Sequence, residues 1–164
     1  DTILNFMFRI GFGTDIHRLV ADRPLIIGGV TIDSDLGADG HSDADVLMHA
    51  AADAVLGSLA LGDLGKYFSD EEEQWRNAES SQFLRHAVRL IKAKGYTIAN
   101  LDSVIDIEKP KLRPHIDAIR GNLAAALEVD IDQISVKAKT SEGVDAVGTR
   151  LAIRAQAIVL VVKT

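Results

Sequence analysis

Apolar and polar positions alternate along residues 6–19, "FMFRIGFGTDIHRL", which predicts a first strand, loosened by Gly11 and Gly13. Residues 23–32, "RPLIIGGVTI", read as a second strand, interrupted by glycines and hairpinned to the first, and 33–40, "DSDLGADG", as a loop. From Ser42 the period changes. His41, Asp45, His49 and Asp53 recur at every fourth position. Four residues of an α-helix advance by about 400°, so these side chains form one slowly turning stripe. Val46, Leu47, Met48 and Ala50 to Ala52 cover the other faces, as in a helix buried nearly all round. Ser42 is the expected N-cap, with Asp45 three residues on in the capping-box position, and Gly57 the expected stop.

Residues 61–80, "LGDLGKYFSDEEEQWRNAES", carry glycines and then acids with no period, which predicts a long mobile loop. Residues 80–95 predict an amphipathic helix with a serine cap, apolar positions at 83, 84, 87, 88, 90 and 91, late basic residues and Gly95 as stop. A strand is expected over 97–108, a helix opened by Pro114 through 129, a strand over 134–140, a loop over 141–149 and a last strand over 151–162. The order β-β-α-α-β-α-β-β predicts an α+β fold, an α/β sandwich with one mixed sheet and helices packed on one face. No second layer of helices is available for the other face, so self-association is expected. One domain is expected over 7–164, with 1–6 a linker or expression remnant.

Composition narrows the function classes. The 164 residues are 47% hydrophobic and 26% charged with a net charge of −6, which argues against a general nucleic-acid binder. An anionic ligand must then be drawn by a local device such as a metal or backbone amides. There is no cysteine, which excludes disulfides and thiolate chemistry and suits a reducing compartment. No apolar run approaches the roughly 20 residues of a membrane span, and "DTILNF" lacks the basic start of a signal peptide.

The polar stripe offers the chemistry. Asp15 and His17 stand two apart on an expected strand end, so their side chains share a face. With His49 they make one carboxylate and two imidazoles, a set suited to a divalent ion, zinc first, with a fourth coordination position open. Asp45 and Asp53, one turn either side of His49, are candidates to hold its second ring nitrogen. Read from the residues alone, alternatives stand beside this: His49 as a satisfied core histidine, Asp45 as a helix cap, Asp53 as a partner for a backbone group. A zinc phosphohydrolase using metal-bound water and a non-catalytic assembly with a structural metal also remain open.

"RIGFGTDIHRL", "PLIIGGV", "HSDADVLMHAAADAVLGSLALGDLGKYFSD", "KGYTIANLDSVI" and "KPKLRPHI" occur in an order and spacing that resemble the 2-C-methyl-D-erythritol 2,4-cyclodiphosphate synthases. The resemblance runs from about Met7 to the end. It implies cyclisation of 4-diphosphocytidyl-2-C-methyl-D-erythritol 2-phosphate with release of CMP, the substrate's own 2-phosphate acting as nucleophile. It implies zinc on Asp15, His17 and His49, and a second cation, magnesium or manganese, on Glu142 bridging the diphosphate. His41 and Thr140 match positions of transition-state stabilisation, and Ser42 follows His41 in contacting phosphate alongside Asp15 and His17.

By the same resemblance, Asp63, Leu64 and Gly65 bind the methylerythritol hydroxyls, and Phe68, Ser69, Asp70, Glu71 and Glu72 close over that moiety. Ile107, Glu108, Lys109, Pro110, Lys111, Leu112 and Arg113 form the cytidine pocket, with Lys139, Thr140, Ser141 and Glu142 at the phosphates. It implies homotrimers with inward-facing sheets and sites at subunit interfaces, a cytidine-diphosphate small molecule as substrate, no nucleic acid or membrane partner, and a bacterial cytoplasm, or a plastid in a eukaryote. The chain departs from the family in "KAKTSEGVDAVGTRLA", where Lys139 stands in place of a common Thr, and in the acidic "SDEEEQW", which lacks the usual Pro and Thr. The first departure weakens any claim to the isoprenoid-diphosphate site that some members carry on the trimer axis.

Overall fold

The computed structural model describes residues 7–69 and 73–164, so the expected linker at 1–6 and Asp70, Glu71 and Glu72 lie outside the described residues. In chain order the strands and helices are β1 (Phe8–Val20), β2 (Leu25–Ile27), β3 (Val30–Ile32), β4 (Gly37–Ala38), α1 (Val46–Ser58), α2 (Leu64–Tyr67), α3 (Ser81–Ala93), β5 (Tyr96–Asp106), α4 (Ile116–Leu127), β6 (Ile134–Lys139), α5 (Asp145–Gly148) and β7 (Ala152–Lys163). The main sheet has the order β4-β1-β7-β5-β6, antiparallel except for the parallel β5–β6 pair. This is the mixed sheet expected.

Three local expectations are corrected. Residues 23–32 do not pair with β1, whose long partner is β7, running from Phe8↔Val162 to Arg18↔Ala152. Instead β2 and β3 fold on each other around Gly28 and Gly29, whose φ angles of 55° and 73° match a two-residue turn that needs positive φ at both positions. Next, α1 is capped by Asp45 and not by Ser42: the Asp45 carboxylate accepts from the Met48 amide, and Ala44, at φ 56°, breaks the helical run before it. Last, the stretch 61–80 contains α2 and a 3₁₀ turn at Glu73–Trp75, and the expected loop 141–149 contains α5.

Helix α1 lies against β1 and β7 with α3 beside it, and α4 packs on α3 and β6. Two glycines of β1 let α1 come this close. A Cβ at Gly11 would lie 1.8 Å from the Ala54 carbonyl oxygen, and one at Gly13 would lie 2.0 Å from that of Ala50. Helix backbone therefore rests on strand backbone, with Ala50, Ala51, Ala52 and Ala54 fully buried. The other face of the sheet carries Phe8, Ile10, Phe12 and Ile16 from β1 and Ile158 from β7, all exposed, Ile10 by 73%. No helix among the described residues is long and apolar enough to cross a membrane.

Candidate active site

The contact of α1 with β1 brings two separated parts of the chain to one point. Asp15 and His17 share the helix-facing side near the end of β1, and His49 sits in the first turn of α1. His17 Nε2 and His49 Nδ1 lie 2.9 and 3.0 Å from the same Asp15 oxygen, Oδ2, and 3.3 Å from each other. These three are the one group of potential metal ligands among the described residues whose donor atoms converge in this way. Burial raises the Asp15 pKa, but hydrogen bonds and charge from His17 and His49 outweigh it and bring the carboxyl down to about 2. Burial lowers that of His17, and its bond to the Asp15 carboxylate, with the Asp39 carbonyl, more than reverses the effect, so the imidazole titrates above its ordinary value.

Both rings are held from behind. His17 Nδ1 meets the Asp39 carbonyl at 2.9 Å, leaving Nε2 toward the centre. His49 Nε2 meets the Ser80 and Ser42 hydroxyls at 2.8 and 3.2 Å, leaving Nδ1 toward the centre. This corrects the expectation that Asp45 and Asp53 hold the second ring nitrogen of His49; the alternatives, a helix cap for Asp45 and a backbone partner for Asp53, hold instead. Asp45 is fully buried and accepts the amides of Gly28, Gly29 and Met48, so it ties the β2–β3 turn to the start of α1. Burial pushes its carboxyl up to about 6. Asp53 accepts the Leu64 amide at 2.8 Å and so holds the start of α2.

The segments expected around the methylerythritol moiety gather beside α1. Asp63 caps α2 by accepting the Lys66 amide, and Leu64 and Gly65 follow on the short helix that Asp53 anchors. Phe68 packs among Phe83, Trp75 and His86 at ring separations of 4.5, 4.9 and 5.2 Å, and Ser69 follows it half-buried. Phe83 in turn lies 6.0 Å from His49. His41 is half-buried, its carbonyl accepting from Asn77. One Arg23 nitrogen donates to the carbonyls on both sides of it, Gly40 at 3.0 Å and Ser42 at 3.4 Å.

The residues expected at the nucleotide form a second locus. Ile107, Glu108, Pro110, Lys111, Leu112 and Arg113 line a cavity of about 680 Å³ together with Lys139 and Thr140 from the end of β6. Lys109 precedes Pro110 through a cis bond and lies in the adjoining cleft. The Ser141 amide donates to Glu108, and the Thr140 hydroxyl donates to Glu142 at 3.2 Å. Asp15 is in register with Ala155, Ala155 with Ile105, and Ile105 with Ala138. At about 4.8 Å per strand, the triad and the nucleotide cavity stand about 14 Å apart across one sheet. Glu142 does not join the triad within the chain.

Sequence reasoning missed Arg23, Asp39, Asp43 and Ser80. Ser80 was legible as a helix cap, and Asp43 is part of the same acid-rich run as Asp45, but pairing them with His49 needs the approach of α3 to α1.

The profile of the YgbB family matches residues 8–162. Over 155 residues the chain is 52% identical to the 2-C-methyl-D-erythritol 2,4-cyclodiphosphate synthase of Alkaliphilus oremlandii, covering 94% of this chain and 99% of that one. It is 49% identical to the synthase of the same name from Clostridioides difficile, covering 95% and 97%. Among solved structures, a 2C-methyl-D-erythritol-2,4-cyclodiphosphate synthase in a form bound to CDP matches with a TM-score of 0.86 at 40% identity, over 93% of this chain and 99% of that one. The bifunctional IspDF from Campylobacter jejuni matches with a TM-score of 0.92 at 32% identity, over 96% of this chain and 42% of that longer one.

Proposed function

The chain belongs to the YgbB family, and on that premise we propose that it is a cyclodiphosphate synthase of isoprenoid precursor synthesis. The reaction closes 4-diphosphocytidyl-2-C-methyl-D-erythritol 2-phosphate to 2-C-methyl-D-erythritol 2,4-cyclodiphosphate. An oxygen of the substrate's 2-phosphate forms a bond to the β-phosphorus. The bond from that phosphorus to the bridging oxygen breaks, and CMP leaves with the electron pair. The enzyme class is a phosphorus–oxygen lyase. The observation that carries the reading is the convergence of Asp15, His17 and His49 on one point.

The donor set fits a divalent cation. One carboxylate oxygen and two ring nitrogens lie within 4.8 Å of one another, each ring held from behind by an oxygen, and zinc suits this mixture best. When bound, the ion supplies Lewis-acid polarisation of a phosphoryl oxygen. Glu142 is assigned a second divalent ion, magnesium or manganese, at the diphosphate.

The remaining work falls to the chain's own groups. The reaction is intramolecular, so the protein's main task is to fold a flexible polyanion into a reactive shape, which is worth about 7–11 kcal/mol. Asp63, Leu64 and Gly65 orient the methylerythritol hydroxyls from α2, which Asp53 fastens to α1. Phe68 and its aromatic neighbours cover that side of the site and exclude water. His41 and Thr140 stabilise charge in the transition state, and Arg23 keeps the His41 segment in place. The 680 Å³ cavity receives the cytidine, with Lys139 near its phosphate; that similar proteins have been solved with CDP supports a cytidine nucleotide as the ligand.

A homotrimer is the assembly that fits. The exposed apolar face of β1 and β7 is what inward-facing sheets would bury. Pairing the triad of one subunit with the nucleotide cavity of the next would complete a site that one chain holds in two parts. One domain over 7–164, working in a bacterial cytoplasm, completes the proposal. The test is a reaction of the purified protein with the diphosphocytidyl substrate, zinc and magnesium, followed by ³¹P NMR. CMP and the cyclic diphosphate should appear in equal amounts without orthophosphate. Orthophosphate without cyclic product would overturn the proposal in favour of hydrolysis.

A further inference from the structure

Ser80 is fully buried at the residue preceding α3, where a serine hydroxyl ordinarily accepts from the helix's own first-turn amides, yet it makes no such bond. Its oxygen lies instead 2.8 Å from His49 Nε2 and in contact with Asp43 Oδ1. Asp43 is itself held: Oδ2 accepts the Ser80 amide and Oδ1 the Asp45 amide, each at 3.1 Å. A buried hydroxyl has thus been diverted from a favourable local bond to a distant ring.

Counting protons gives the direction of this chain of bonds. A carboxylate only accepts, and a serine hydroxyl has one hydrogen to give. The Ser80 hydrogen goes to Asp43, so toward His49 the same oxygen acts as acceptor, and the hydrogen between them belongs to Nε2. A neutral imidazole with hydrogen on Nε2 has its lone pair on Nδ1, the atom that faces Asp15 and His17. Ser42, whose oxygen accepts the Ala44 amide and stands 3.2 Å from Nε2, shares the Nε2 hydrogen as a second acceptor when its own hydrogen turns to the Ser80 oxygen 3.5 Å away.

Resting on the reading of Asp15, His17 and His49 as a metal triad, we propose that Asp43 and Ser80 are positioning residues that fix His49 in the Nε2–H tautomer and aim its Nδ1 at the metal. Asp43 lies ahead of α1 and Ser80 ahead of α3, so the metal centre reads out the docking of α3 on the α1 loop. The Asp39 carbonyl does the same for His17 from the other side. Both neutral rings then turn lone pairs toward the Asp15 carboxylate, an arrangement that only a cation or a shared proton relieves.

The test uses the metal-free protein with ¹⁵N-labelled histidine, together with cobalt(II) titration monitored by its visible absorption. Long-range ¹H–¹⁵N spectra at pH 8 should show His49 of the parent protein as the Nε2–H tautomer. Ser80→Ala should lose that bias while circular dichroism shows an unchanged fold, and cobalt binding should weaken about 10- to 100-fold. Asp43→Ala should do likewise, and Asp43→Asn, which keeps an acceptor for the Ser80 hydroxyl but sets an NH2 group against the Ser80 amide, should recover part of the loss. If Ser80→Ala does not fold, the Asp43 pair supplies the same readout. A folded Ser80→Ala or Asp43→Ala protein with the tautomer intact and cobalt affinity within twofold of the parent overturns the proposal. Failure of the parent protein to bind cobalt at the triad would overturn the metal reading instead, and the tautomer in the metal-free protein would still decide the roles of Asp43 and Ser80.

Discussion

Replacing Gly13 by alanine tests how the fold makes the site. The added Cβ would lie 2.0 Å from the Ala50 carbonyl oxygen and 2.7 Å from the Ala54 amide nitrogen, both backbone atoms with no side-chain freedom to yield. Restoring an ordinary contact of about 3.4 Å requires α1 to move off β1 by about 1.4 Å. Forced overpacking of this kind costs about 1–3 kcal/mol, and a backbone-on-backbone clash belongs at the upper end. The movement also separates the ligands, because Asp15 is two residues from Gly13 and His49 precedes Ala50. A misplacement of about 1 Å at a reacting centre costs on the order of 100-fold. Gly13→Ala is therefore expected to lower the urea midpoint of the metal-free protein, to weaken cobalt(II) binding, and to slow turnover on the order of 100-fold. Gly11→Ala clashes with Ala54 and Ser58, farther along α1, and is expected to cost stability with a smaller effect on the metal. A Gly13→Ala protein with unchanged stability and unchanged cobalt affinity would refute this account of how α1 and β1 build the triad.

Three further outcomes follow from the same structure. In metal-free protein, Asp15 contributes stability above its unfolded value of 3.8 that is lost as the pH falls toward about 2, and His17 contributes stability below 6.5 that is lost as the pH rises through its elevated folded value. The urea midpoint with chelator should therefore gain most from this pair between about pH 4 and 6.5. Zinc should add most at alkaline pH, because the metal needs His17 unprotonated; a zinc contribution independent of pH would contradict this. Asp45→Ala leaves the buried Gly28 and Met48 amides and the more exposed Gly29 amide without their acceptor, and at about 1–3 kcal/mol for each of the two buried donors the loss should reach about 2 kcal/mol or more in urea unfolding. Phe12→Asp places a charge beside Ile158 on the exposed apolar face and should leave sedimenting monomers where the proposed assembly predicts a trimer for the parent; a variant that still sediments as a trimer would remove that face from the interface.

The helices and long strands were legible because their periods are long and unbroken, as in 80–95 and 151–162. Of the candidate metal triad, His49 was legible on the helical stripe, and Asp15 and His17 as a pair two apart on a strand. What eluded sequence reasoning depends on backbone proximity between distant elements. Gly11 and Gly13 read as weaknesses in a strand, although they are the reason α1 can approach β1. Asp45 and Asp53 lie on the same helical stripe as His49, which suggested that they serve it. Burial and nearby amides gave each a different partner: the β2–β3 turn for Asp45 and the start of α2 for Asp53. The hydroxyl that holds His49 came from Ser80, 31 positions along the chain, where no local period points.

The most direct test of the central claim is anomalous diffraction at the zinc edge from crystals grown with zinc and without chelator. The account requires one ion per chain bonded to Asp15, His17 Nε2 and His49 Nδ1, with a coordination position left for a phosphoryl oxygen. Crystals that diffract well yet hold no ion among those three groups, or hold it in a closed shell of four protein ligands, would contradict it.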